Sequence, residues 1–186
     1  MNIRVISGIA KGHRIEVPRG RTVRPTSDRA REALFNILGD RVVNARFLDL
    51  YAGSGAVGIE ALSRGARETV FVEKRHRVTT TIMRNLARTG FTKRARVIER
   101  DVADALRTLR RQEKTFDIVF GDPPYDLPNS EEILQLIGST QLMTERTLIV
   151  WEHASRTPLS LAIGNLLSIK EVRYGDTSFS FFVLTP

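Results

Sequence analysis

Two stretches of this 186-residue chain hold residue types in a spacing that could do chemistry. The first is Asp49-Leu50-Tyr51-Ala52-Gly53-Ser54-Gly55-Ala56-Val57-Gly58. Gly53 and Gly55, with Ser54 between them, let the backbone approach a ligand closely, and Gly58 lets a helix pack tightly on a strand. The Gly-x-Gly-x-x-Gly spacing also fits a dinucleotide-binding turn, with Glu73 eighteen residues beyond Gly55. Asp49 discriminates between ligands. A pyrophosphate on this turn would be repelled by a carboxylate four residues before the first glycine. S-adenosylmethionine (SAM) has an ammonium, a sulfonium and no phosphate, so the same carboxylate attracts it. Glu73 can then accept from both ribose hydroxyls, and Asp101 from the adenine amino group, with Val102 against the ring. Tyr51 stands open between lining the cofactor pocket and simple packing.

The second stretch is Asp122-Pro123-Pro124-Tyr125. Two prolines fix two φ angles and remove two backbone donors. The loop therefore presents acceptors, the Asp122 carboxylate and the Pro123 carbonyl, without competing N–H groups. A planar exocyclic amine fits this, each N–H donating to one acceptor while the nitrogen lone pair turns toward an electrophile. Tyr125 offers a flat face on which a base can stack, worth ~1–3 kcal/mol. The implied reaction is in-line displacement at the sulfonium methyl by an amine nitrogen. Positioning and electrostatics suffice for it, and no strong general base is needed.

Both stretches need a scaffold that aims them into one crevice. Strands are expected at 47–50, 69–73, 96–99, 116–120 and 148–151, alternating with helices at 56–63, 77–88, 103–109 and 131–137. Apolar strands alternating with helices mean a parallel sheet covered on both faces. The tail breaks the rhythm: 166–174 and 178–184 alternate as strands around Gly175-Asp176-Thr177, a turn composition. The expected fold is α/β, a Rossmann-like doubly wound seven-stranded sheet ending in an antiparallel hairpin. Residues 46–186 form this cofactor-binding domain. Residues 1–45 form a basic extension, with short strands at 4–7 and 14–17 and a helix capped by Thr26, Ser27 or Asp28 and ending near Gly39.

Composition narrows the partners. Cysteine is absent, which removes disulfides, thiol catalysis and Cys-based zinc sites. The three histidines (His13, His76, His153) are scattered far apart, which argues against a His-rich metal site, and none is assigned a role. No apolar run approaches a membrane span and no signal peptide is visible, so a cytoplasmic protein is expected. The net charge is +8, unevenly spread: +6 over residues 1–31, −2 over 32–73, +9 over 74–114 and −5 over 115–186. This asymmetry fits a polyanion approaching one side. Of the 29 basic residues 24 are arginine, the side chain suited to bidentate phosphate contacts. Arg4, Lys11, Arg14, Arg19, Arg21 and Arg24 are the candidates for such contacts. Asp28 and Arg31 are expected to pair with neighbours, and Trp151, Phe179, Phe181 and Phe182 to pack in the interior.

These residues carry a resemblance that covers essentially the whole chain. With Ser7-Gly8-x-x-x-Gly12-x-Arg14, Arg24-Pro25-Thr26-x-Asp28-x-x-Arg31-Glu32-x-Leu34-Phe35-Asn36 and Tyr174-Gly175-Asp176-Thr177 added to the two stretches above, the chain is similar to the bacterial RsmD family. That family comprises 16S ribosomal RNA guanine-N2 methyltransferases of the class I, SAM-dependent type. The resemblance implies SAM as methyl donor, S-adenosylhomocysteine as product and no metal. It also implies a specific guanine amino group in 16S rRNA as acceptor, met within a small-subunit (30S) particle or assembly intermediate by a monomeric enzyme. The Asp-Pro-Pro-Tyr element is shared with DNA adenine and protein glutamine methylases and alone fixes only the amine. Adenine-N6 methylation of DNA or RNA is therefore the alternative, and duplex reading would need more than a 45-residue arm. A nicotinamide-dependent oxidoreductase conflicts with Asp49, and a non-catalytic RNA-binding module leaves the Pro-Pro loop unexplained.

Overall fold

The computed structural model describes residues 3–18, 28–111, 115–124 and 130–185. Five parallel strands alternate with helices as expected: β3 (Arg46–Leu50), β4 (Glu68–Glu73), β5 (Ala95–Glu99), β6 (Ile118–Gly121) and β7 (Leu148–Ala154). Two more, β9 (Leu166–Tyr174) and β10 (Thr177–Leu184), form the antiparallel hairpin, and β10 inserts between β9 and β7. The sheet runs β5-β4-β3-β6-β7-β10-β9-β8. Its eighth member, β8 (Ala162–Ile163), corrects the expected count of seven. Two residues ending at Gly164 are too few to show an alternating pattern, and only pairing with Leu166 and Leu167 makes them a strand.

Helices cover both faces. α1 (Asp28–Leu38) and α2 (Ala56–Ser63) pack with the inner side chains of β3, β6, β7 and β10. α3 (His76–Thr89) lies on the same face over β4, while α4 (Val102–Arg110) and α5 (Ser130–Gly138) cover the other. Gly58 meets its expected role: a Cβ there would lie 2.3 Å from the Phe71 ring, so only glycine lets α2 sit this close to β4. Every residue of α2 is buried, because its outer side is covered in turn. The cover is the N-terminal hairpin, β1 (Ile3–Arg4) with β2 (Arg14–Ile15), whose Ile3, Val5 and Ile15 share a core with Ile59, Leu62, Ile82 and Leu86.

A buried polar lock holds that hairpin. Glu60, fully buried in α2, accepts from the backbone N–H groups of Ile6 (2.8 Å) and Ser7 (3.0 Å) and from Arg64 Nε (2.8 Å). Arg31 Nε lies 3.9 Å from the same carboxylate, while its Nη2 donates to Arg4 O and to Asp28. Arg31 is thus paired with neighbours as expected, and burial lowers its pKa. Ser63 Oγ donates to Ser7 O and accepts from Ala10 N–H, and a Cβ on Gly8 would overlap the Ser63 carbonyl.

Several strand ends differ from expectation, and the N-terminal strands expected at 4–7 and 14–17 are only Ile3–Arg4 and Arg14–Ile15, because the chain turns inward at Ile6 and Ser7 to donate to Glu60 and at Glu16 to bond Asn85. β6 begins at Ile118 rather than 116, and β7 runs on to Ala154 rather than stopping at Trp151. Glu152 and His153 look like loop residues in sequence, but β10 pairs with them beyond the end of the β6 ladder, Phe179 opposite Glu152 and Ser178 opposite His153. Trp151, Phe179, Phe181 and Phe182 are all buried. Among the described residues no helix is long and apolar enough to cross a membrane.

Candidate functional site

Strand order reverses between β3 and β6, whose neighbours continue outward in opposite directions, and an open α/β sheet places its ligand in that crevice. The glycine turn follows β3. Ala52 N–H continues the ladder to Val72 O (2.9 Å), and Gly55 N–H closes the turn on Ala52 O (2.7 Å). Tyr51, Gly53 and Gly55 have φ of 60°, 55° and 77°. For Tyr51 that left-handed backbone is strained, and strain of this kind collects at ligand sites. Its ring packs edge-on against Trp151, centroids 6.0 Å apart. Burial, then the negative Asp101, pushes its hydroxyl up to about 12.

The three carboxylates expected at the cofactor end lie at or just past the C-terminal ends of three adjacent strands. Asp49 is buried, and its Oδ2 accepts from Gly58 N–H (2.9 Å), tying β3 to the first turns of α2. Burial pushes its carboxyl from 3.8 up to about 7, opposed by the Gly58 hydrogen bond and reinforced by negative Glu73. Glu73 is buried at the end of β4 and is held by Arg75, which donates from Nε (2.9 Å), Nη2 (3.1 Å) and its backbone N–H (3.0 Å). Asp101 is exposed and caps α4 through Ala103 N–H (3.0 Å), with buried Val102 beside it. This set suits a ligand that is cationic at one end and rich in hydroxyls at the other, and no cation stands on the turn itself to meet a phosphate.

Asn85 was not legible as part of the site. Its side chain donates to Ser54 O (2.9 Å) and Glu16 O (2.9 Å) and accepts from Glu16 N–H (2.8 Å). A buried asparagine in α3 therefore pins the glycine turn to the N-terminal hairpin. Its sequence signal is weak, an amide on a buried helix face that holds Val78, Ile82 and Leu86 together with three threonines. Arg75 was likewise unassigned in sequence, and only its geometry shows that it clasps Glu73.

The amine-binding candidate is brought to the same place. β3 pairs with β6 up to Leu50 opposite Gly121, and Asp122 N–H still donates to Leu50 O at 3.4 Å. Asp122 and Pro123 therefore stand beside the glycine turn. Gly121 is obligatory here, since a Cβ would lie 2.3 Å from the Trp151 ring. Pro124 is exposed and Pro123 buried. Tyr125, Arg19, Arg21 and Arg24 lie outside the described residues. Arg4, Lys11 and Arg14 are exposed on the hairpin, with Arg4 also reaching Gly12 O. Among the described residues no group of three or more metal-binding side chains occurs.

Sheet order, glycine turn and crevice together define a methyltransferase-like α/β fold. A family model described as Conserved hypothetical protein 95 matches residues 3–183, and the chain belongs to this family, the RsmD family. It is similar over 97% of its length to YlbH of Bacillus subtilis (37% identity, 98% of that protein). It is likewise similar over 97% of its length to Ribosomal RNA small subunit methyltransferase D of Escherichia coli K12 (34% identity, 89% of that protein). Among solved structures, yhhF of Escherichia coli superposes with a TM-score of 0.85 at 32% identity, covering 100% of this chain and 99% of that one.

Proposed function

We propose that this chain transfers a methyl group from SAM to the exocyclic N2 of a guanine in small-subunit ribosomal RNA. The observation that carries this reading is the Leu50–Gly121 register, which sets the acceptor loop Asp122-Pro123 beside a glycine turn flanked by buried carboxylates. The relatives named for small-subunit rRNA methylation support the substrate class. When bound, SAM supplies an electrophilic methyl on a sulfonium, so that the N–C bond forms as the C–S bond breaks and a neutral thioether leaves. Asp122 and the Pro123 carbonyl hold the two amine hydrogens and aim the nitrogen lone pair. The proton released from N2 passes to the Asp122 carboxylate and on to water. Glu73 takes the ribose hydroxyls, Asp101 the adenine amine, and Tyr51 lines the cofactor. Exposed cations of the N-terminal extension contact RNA phosphates.

The direct test is methyl transfer from labelled SAM into small ribosomal subunits lacking the modification, with naked rRNA and duplex DNA alongside. N2-methylguanosine in RNA is the expected product. N6-methyladenine in DNA would overturn the substrate while keeping the chemistry.

Two further results are expected at the cofactor end. Glu73→Ala weakens SAM binding by ~1–3 kcal/mol through loss of charged hydrogen bonds, measured by titration calorimetry. Asp49 has its acidity tied to function. Its carboxyl titrates at 3.8 when unfolded and at about 7 when folded. The folded state therefore holds this proton more tightly, and stability from it is full below pH 3.8 and lost as pH rises to about 7. A cationic ligand favours the ionised form, so SAM affinity falls as pH drops below about 7. Asp49→Asn removes that slope, weakens SAM binding and raises the melting temperature at pH 8 by on the order of 5 °C. A variant that binds SAM with the same pH slope as the parent would remove Asp49 from the cofactor site.

A further inference from the structure

We infer that Arg77, Arg84 and Arg88 on the outer face of α3 form a second phosphate-binding surface, along which an RNA strand runs beside the N-terminal hairpin. The inference extends the rRNA reading above, which gives phosphate contacts to the N-terminal extension alone. It begins from charge that the proposed site leaves unused, the +9 over residues 74–114. α3 is 14 residues long and holds no Asp or Glu. Its three arginines are spaced by seven and then four residues. At about 3.6 residues per turn they lie within about 20° of one line, in a row about 16 Å long. All three are exposed, turned away from the face that Val78, Ile82 and Leu86 bury. Arg77 and Arg88 enter no ion pair among the described residues, and Arg84 meets only Glu16 of the hairpin (2.9 Å), an exposed pair worth little in water. A solvated helix face ordinarily mixes both signs, whereas basic side chains in a row of one sign are the footprint of a polyanion.

The row is continuous with the hairpin cations. Asn85 bonds both the N–H and the carbonyl of Glu16, which fixes the hairpin against α3. Ile15 is buried, so Arg14 and Glu16 flank it on the outer side, where Glu16 meets Arg84. Arg77 stands four residues past Glu73, near the rim of the crevice. The chemistry of the row selects its partner. Guanidinium forks match phosphate oxygens bidentately, and the row is long enough for successive phosphates of one strand. Met83 is the one large apolar side chain exposed on α3, too little for the apolar centre that a protein interface needs. One segment of RNA thus bridges the hairpin and the crevice rim. The arginine row adds affinity and takes no part in methyl transfer.

The test measures binding of naked 16S rRNA and of small subunits lacking the modification across a series of salt concentrations. SAM affinity, melting temperature, kcat and KM are taken on the same preparations. Arg77→Ala/Arg88→Ala removes the two cations that enter no described ion pair, and alanine keeps the helix. This variant should bind rRNA about tenfold more weakly and lower the slope of log affinity against log salt by about 2. KM for the subunit should rise by a similar factor, with kcat and SAM affinity unchanged. Adding Arg84→Ala should lower the slope by about one more. Arg146→Ala, an exposed cation before β7 at the far end of the sheet from the crevice, should leave the slope unchanged. Equal binding and slope in the parent and the double variant, absence of binding by both included, would overturn the inference. So would a fall in kcat at constant KM. A loss confined to assembled subunits would give the row to a ribosomal protein and overturn the RNA contact. If the parent binds rRNA with the expected slope change and makes no N2-methylguanosine, the reading of the reaction fails and the arginine row stands.

Discussion

Asp122→Ala is expected to lower methyl transfer by about a thousandfold while leaving SAM affinity within about twofold. The asymmetry follows from position. Asp122 sits past the end of β6, across the strand-order reversal from Glu73, which ends β4, and Asp101, which follows β5. In the proposed reaction its removal takes away the acceptor that aims the amine lone pair and leaves the cofactor end untouched. Backbone disruption is not expected, because the Asp122 N–H to Leu50 O contact survives the substitution. Single-turnover kinetics with calorimetry on the same preparation separates the two effects. Turnover within tenfold of the parent would show that the amine is aimed by another group.

The second large effect concerns stability. Glu60→Gln should destabilise the chain by about 3 kcal/mol, the low end for breaking a buried ion pair, since Arg31 keeps Asp28. Glu60 receives Ile6 N–H, Ser7 N–H and Arg64 Nε, and with Asp28 it balances the charge of fully buried Arg31. Gln keeps one acceptor oxygen and turns an N–H₂ toward a donor. For a chain of this length the loss corresponds to roughly 10 °C in melting temperature. Hydrogen exchange should accelerate first at the hairpin amides of residues 3–18. A shift under about 2 °C would mean that the lock contributes little beyond apolar burial.

The two effects differ in how far sequence foretold them. Asp122, with its two prolines, announces its chemistry, since loss of two backbone donors beside a carboxylate reads directly from residue types. Glu60 announces nothing. It lies in the middle of an apolar helix segment, Ala56-Val57-Gly58-Ile59-Glu60-Ala61-Leu62, where a lone glutamate reads as a solvent-facing position. Only the hairpin folding back over α2 makes it the centre of a buried network. Ser7, Gly8 and Arg31, conspicuous as motif residues, turn out to fasten that hairpin. Asn85 and Arg75 were missed for a related reason. Their partners, Ser54 O and Glu73, are a backbone atom 31 residues away and a carboxylate two residues away. Neither relation has a residue-type signature.

What the chain's own residues determined was the local grammar. Apolar runs separated by amphipathic helices dictate a parallel sheet, glycines dictate a tight turn after its first strand, and an Asp-Pro-Pro loop presents acceptors without competing backbone donors. Each depends on neighbours in sequence and so can be read there. Tertiary structure decided the rest. It buried Asp49 and turned it toward Gly58, buried Glu60 beneath the hairpin, added β8 to the sheet edge and extended β7 through Glu152. All of these are set by groups brought near from other strands and helices. Burial and cross-strand pairing are properties of a folded surface, and no window of residues contains them.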